Sequence, residues 1–204
     1  MDEIIIKNND IDVTRIIFLF HGYGANKNDL VPIGEAFLKA IPDAEIHLPN
    51  GIESCEGAGG YQWFPLEGYD TAVWNRAFQR NLPRIKSYID DVIADKQLLY
   101  GNIIVSGFSQ GAMLSLSLGL ELGTEAVIAF SGLLFSLGSV VQQNTKILLT
   151  HGAKDEVISI NEMFSAEKNL KERKISVETA VSEHLSHAID DHLLLKAVDF
   201  LKKL

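Results

Sequence analysis

Six short apolar runs, rich in β-branched residues, recur along the chain at residues 15–20, 45–48, 102–105, 126–130, 146–150 and 175–179. They are nearly continuous in apolar character rather than alternating, the pattern of strands buried on both faces. Segments with helical spacing lie between most of them. Phe78, Leu82, Ile85, Ile89 and Val92 step by three or four, as do Ile189, Leu193, Ala197, Phe200, Leu201 and Leu204. Pro83 falls inside the first stripe and predicts a kink or a restart there. Strand alternating with helix predicts an α/β fold, a mostly parallel central sheet with helices on both faces. Residues 4–6 can add an edge strand. Residues 131–145 give no clear element. With 204 residues and no repeat or linker, one domain over 1–204 is expected.

Charge narrows the partners. The formal net charge is −9, with no basic cluster. Such a surface repels phosphate backbones and anionic lipid, so nucleic acid and stable membrane insertion are not expected. No apolar run approaches the ~18 residues that span a bilayer. Cys55 is the sole cysteine, so no intrachain disulfide can form, and an acidic start is unlike a signal peptide. A soluble, cytoplasmic protein is the expectation.

Ligands of such sheets sit at the carboxyl ends of the strands. There the sequence places His21-Gly-Tyr-Gly24, Gly107-Phe-Ser-Gln-Gly111 and His151-Gly-Ala-Lys-Asp155. The second is a strand–turn–helix with glycine two before and two after Ser109, leading into a helix over residues 110–122. Such an elbow presents a serine hydroxyl, and the helix start adds N–H groups and positive dipole. Packing explains the glycines equally well while they stand alone. They do not stand alone, because an acid and a histidine follow in the required order: Asp155 after the fifth run, His187 after the sixth. A serine needs that base, and the base needs orienting. His184 rivals His187, which lies nearer the last helix. An oxyanion needs two preset N–H donors, expected from Gln110 and Tyr23. His21 is read as a scaffold residue.

These motifs, with Asp29-Leu30, Val157 and Ser186-His187, resemble the phospholipase/carboxylesterase family of α/β-hydrolases from about Arg15 onward. The resemblance implies a triad of Ser109, Asp155 and His187, oxyanion donors at Tyr23 and Gln110, no cofactor, and a homodimer in several members. It implies an ester or thioester substrate. Trp63-Phe64-Pro65 departs from the family's Trp-Phe-Asp, so acyl preference does not carry over. Ala112, Ser159 and Ser186 also depart, away from the triad.

The long connection 49–70 carries Tyr61, Trp63 and Phe64. These aromatics either line an acyl pocket or plug the core; the first reading makes Trp63 and Phe64 the substrate-binding candidates. No large lid domain is inserted. The reading is a carboxylesterase for short to medium acyl chains. An acyl-protein thioesterase or lysophospholipase is the alternative, and an inactive hydrolase-fold binding protein is the third choice. A metal site at His184, His187, Asp190, Asp191 and His192 would leave the serine elbow unexplained, and no metal is expected.

Overall fold

The computed structural model describes residues 1–55, 59–68, 70–135 and 143–204. The first half contains β1 (Glu3–Lys7), β2 (Arg15–Phe20), α1 (Val31–Ala40), β3 (Ala44–Pro49), the short strands β4 (Glu53–Ser54) and β5 (Tyr61–Gln62), and α2 (Thr71–Lys96). The second contains β6 (Ile103–Phe108), α3 (Gln110–Leu122), β7 (Ala126–Phe130), β8 (Lys146–Gly152), α4 (Ile160–Glu172), β9 (Val177–Ser182) and α5 (Asp191–Leu201). The described residues form a seven-stranded sheet ordered β1-β3-β2-β6-β7-β8-β9, in which only edge strand β1 pairs antiparallel. Part of the stretch between Phe130 and Lys146 lies outside the described residues.

The fold class and the edge strand are as the sequence predicts. One apolar cluster packs α2, α3 and α4 on one face of the sheet; the other packs α1 and α5 on the opposite face. α3 is apolar nearly all round because it is buried nearly all round; Leu114 and Leu118 have no exposed surface.

Several boundaries differ from expectation. α2 runs unbroken through Pro83. Pro83 and Gln79 both lie on its exposed face, so the carbonyl that loses its N–H partner faces water. β9 begins and ends later than its apolar run. Ile175 is buried and donates its N–H to Leu170 O at 3.0 Å, closing α4 before the strand starts. β6 and β8 run on to Phe108 and Gly152, so His151 and Gly152 are strand residues.

Strand order reverses between β2 and β6. β3 follows β2 outward one way, and β7 to β9 follow β6 the other way. At that switch point Phe20 stands opposite Gly107, so the loops after β2 and β6 emerge side by side, where such sheets bind ligands.

Candidate active site

Ser109 caps the start of α3 at φ 54°, ψ −114°, a conformation costly for any residue with a Cβ. Its N–H donates to Phe130 O at 2.9 Å, and its carbonyl receives Ala112 and Met113 N–H. The turn can be this tight because Gly111 lies against β2: a Cβ there would stand 1.9 Å from Phe20 O. The serine is thus pushed out at the switch point, above the strand ends.

Asp155 and His187 come together from opposite ends of one loop contact. Lys154 N–H donates to Leu185 O at 2.9 Å. Gly152 permits the approach, since a Cβ there would stand 2.4 Å from both Leu185 O and Ser186 O. His187 Nδ1 then lies 2.7 Å from Asp155 Oδ2, whose side chain has no exposed surface. The other carboxylate oxygen accepts Val157 and Ile158 N–H, each at 2.9 Å. Burial pushes the Asp155 carboxyl up, but the His187 bond and the two backbone bonds together outweigh it, and the net shift is downward. Held as a carboxylate, Asp155 fixes the proton on His187 Nδ1 and leaves Nε2 as an acceptor. Phe108 packs on the His187 ring, with centroids 4.7 Å apart.

Ser109 and His187 line one cavity of about 510 Å³. Among the described residues no hydrogen bond joins them, an ordinary state for such a pair without substrate. Tyr23 lines the same space, and Gln110, buried, directly follows Ser109; neither backbone N–H finds an acceptor among the described residues. For Gln110 this follows from its place in the first helical turn.

His21 is buried, as a scaffold role requires. Its Nδ1 meets Gly22 O at 2.7 Å and its Nε2 accepts Gly51 N–H at 2.9 Å, tying the loops after β2 and β3. Burial lowers its affinity for a proton, outweighing the Gly22 bond, so the ring is held neutral for this pair of contacts.

Trp63 and Phe64 require a correction. Both have no exposed surface, and neither lines the cavity. Phe64 packs edge-on against Phe78 and Phe135, and Trp63 against Phe20. They plug the core beneath the site. The same loop supplies Leu66 and Gly68 to the wall instead, joined by Trp74, Met113, Phe108 and Ile158. The sequence reading missed these. Trp74 carried a signal, an aromatic in the first turn of a helix that starts beside the strand ends.

The residues around His187 do not gather as ligands. Asp190 caps α5, accepting Leu193 N–H at 2.9 Å and the Ser182 hydroxyl at 2.5 Å, while His184 and His192 are exposed. Among the described residues no group of three or more His, Cys, Asp or Glu side chains is placed to hold a metal ion.

The sequence profile of the phospholipase/carboxylesterase family matches residues 1–204. Esterase YpfH of Escherichia coli (strain K12) is 31% identical over 206 residues, covering 98% of this chain and 88% of that protein. The solved structure of esterase PE8 superposes with a TM-score of 0.91 at 30% identity, covering 98% of this chain and 96% of that one. A Bacillus cereus carboxylesterase, at 18% identity and a TM-score of 0.81, shares the fold over 98% of this chain and 93% of its own. With the profile spanning the whole chain, and that E. coli relative aligned along nearly all of it, the chain belongs to the phospholipase/carboxylesterase family and is a hydrolase of the carboxylesterase type.

Proposed function

We propose that the chain is a serine hydrolase that cleaves carboxylic esters of short to medium acyl chains. One observation carries the reading: a serine on a strained elbow shares a cavity with an imidazole whose Nδ1 is held 2.7 Å from a buried carboxylate. Ser109 Oγ gives its proton to His187 Nε2 as it attacks the ester carbonyl. Asp155 offsets the charge of the imidazolium. Tyr23 and Gln110 N–H receive the developing oxyanion. His187 then hands the proton to the departing alcohol, leaving an acyl-enzyme. Water, deprotonated by His187, attacks next; the acid leaves and Ser109 regains its proton.

The acyl preference follows from the wall. Leu66, Trp74, Met113 and Ile158 are apolar, and the mouth is open at exposed Tyr23 and Val157. Each methylene that finds wall contributes about 0.8 kcal/mol, and none beyond the mouth does. Efficiency should therefore rise with acyl length and then level.

Ser109→Ala should abolish labelling by a fluorophosphonate and lower ester turnover by roughly 10⁴-fold or more. Undiminished labelling of that variant sinks the assignment. The acyl preference is read from kcat/KM over aryl esters of increasing length beside matched thioesters. A wide advantage for palmitoyl thioester would replace the carboxylesterase reading with a thioesterase one.

A further inference from the structure

We propose that Trp63 is a positioning residue for the oxyanion hole: it locks the two loops that carry Tyr23 N–H and Gln110 N–H into one spacing. The proposal rests on the reading of Ser109 as nucleophile.

Every polar group of Trp63 is bonded, and each to a different element. Its backbone N–H donates to Gln110 Oε1 at 2.9 Å. Its indole N–H donates to His21 O at 2.9 Å. Its carbonyl accepts Asn81 Nδ2 at 2.9 Å. Three anchors on α3, on the end of β2 and on α2 leave a fully buried ring no latitude.

The neighbours on both sides extend the lock. Phe64 O accepts Gln110 Nε2 at 2.7 Å, so the Gln110 amide is clamped at both its ends. Tyr61 O accepts Gly24 N–H at 2.9 Å, and Tyr61 N–H donates to Ala25 O at 2.8 Å. Tyr23 is thus bracketed by bonded residues, His21 before it and Gly24 after it. Gln110 does two things with two parts: its side chain grips the brace, while its N–H, in the first turn of α3, has no helical partner.

This construction matters because oxyanion donors act only within about 2.7–3.1 Å of the oxygen. The two donors come from different loops, one after β2 and one after β6. Backbone pairing of β2 with β6 ends at Phe20 and Gly107, short of both donors. Beyond that point the segment 61–64 bonds to both loops. It explains why two aromatic residues beside the site touch no substrate space.

The test uses the full chain with Trp63→Phe, which removes the indole N–H but keeps an aromatic ring, and Gln110→Met, which removes both side-chain bonds at similar volume. Turnover of a short aryl ester, inhibition by an arylboronic acid that forms a tetrahedral adduct on Ser109, fluorophosphonate labelling and Tm are measured. Each variant should lose about 10- to 100-fold in kcat with KM within about threefold, as expected of groups felt in the transition state. The boronate Ki should rise by the same factor as kcat falls, and Ser109 should still be labelled. Asn81→Leu, which frees the Trp63 carbonyl together with Glu53 Oε1, should show the same pattern at smaller size; it stands in if a core variant does not fold. A lowered Tm with unchanged kcat and boronate Ki overturns the proposal. So does a rise in KM alone, which would return Trp63 to the acyl pocket. Equal labelling of the parent and of Ser109→Ala overturns the serine reading itself, a distinct failure.

Discussion

Two histidines sit against carboxylates at nearly the same distance. His187 Nδ1 is 2.7 Å from Asp155 Oδ2; His47 Nδ1 is 2.8 Å from Glu3 Oε2. The second pair lies among β1, β3 and α2, away from the strand ends. There His47 Nε2 is also engaged, 3.1 Å from Glu45 Oε1. Glu45 in turn meets Lys7 at 3.1 Å and Lys96 at 3.0 Å, and the Tyr88 hydroxyl donates to Glu3. That network centres on the buried His47 and Glu45 and joins an edge strand to the sheet and a helix. His187 keeps Nε2 uncommitted among the described residues and faces a cavity. A histidine–carboxylate contact is therefore not a reactive centre by itself. The second ring nitrogen decides.

The largest effect that can break this contrast is on turnover. Asp155→Asn should fold and yet lose about 10⁴-fold in kcat, because the imidazolium loses its compensating charge and the ring its tautomer. Near-normal rates would mean that the His187 pair is as inert as the His47 pair. Glu45→Gln is the counterpart. It should leave kcat alone and cost about 2–4 kcal/mol in urea unfolding, since a buried charge network loses its centre. A large loss of turnover there would erase the distinction.

Acid should treat both regions alike. Burial raises the Glu45 carboxyl, but bonds from Lys96, Lys7 and His47 outweigh it, so it too sits below its ordinary range. A carboxyl depressed on folding contributes stability that is complete above its unfolded value, about 4, and is lost as pH falls through the lower folded value. The unfolding free energy should thus drop as pH falls below about 4. Glu45→Gln and Asp155→Asn should each flatten that drop, although only one of them silences turnover. The smallest effect belongs to His184→Ala. His184 is exposed, three residues from His187, and its loss should change kcat by no more than about twofold.

Much of the frame was legible because burial on two faces writes continuous apolar runs, as in β2 and β7. The elbow was legible because few turns need glycine on both sides of a serine. His187 could be preferred to His184 only by its nearness to α5; what separates them is the contact between Lys154 and Leu185, which sequence does not display. Trp63 and Phe64 were misplaced for a related reason. An aromatic in a loop gives the same signal whether it faces a ligand or the core, and its bonds to His21, Asn81 and Gln110 reach across 42, 18 and 47 positions. The uninterrupted α2 was missed because a proline's cost depends on which way the orphaned carbonyl points.

The backbone at Ser109 has a consequence for any effort to toughen the protein. A side chain at such a positive φ costs on the order of 1–3 kcal/mol. Ser109→Gly removes that cost, against about 1 kcal/mol of added freedom in the unfolded chain. A population selected only for surviving heat is therefore drawn toward glycine at the residue we propose as the nucleophile. It can end as a sturdier chain with nothing left to do, so heat selection on this scaffold must be coupled to a screen for turnover.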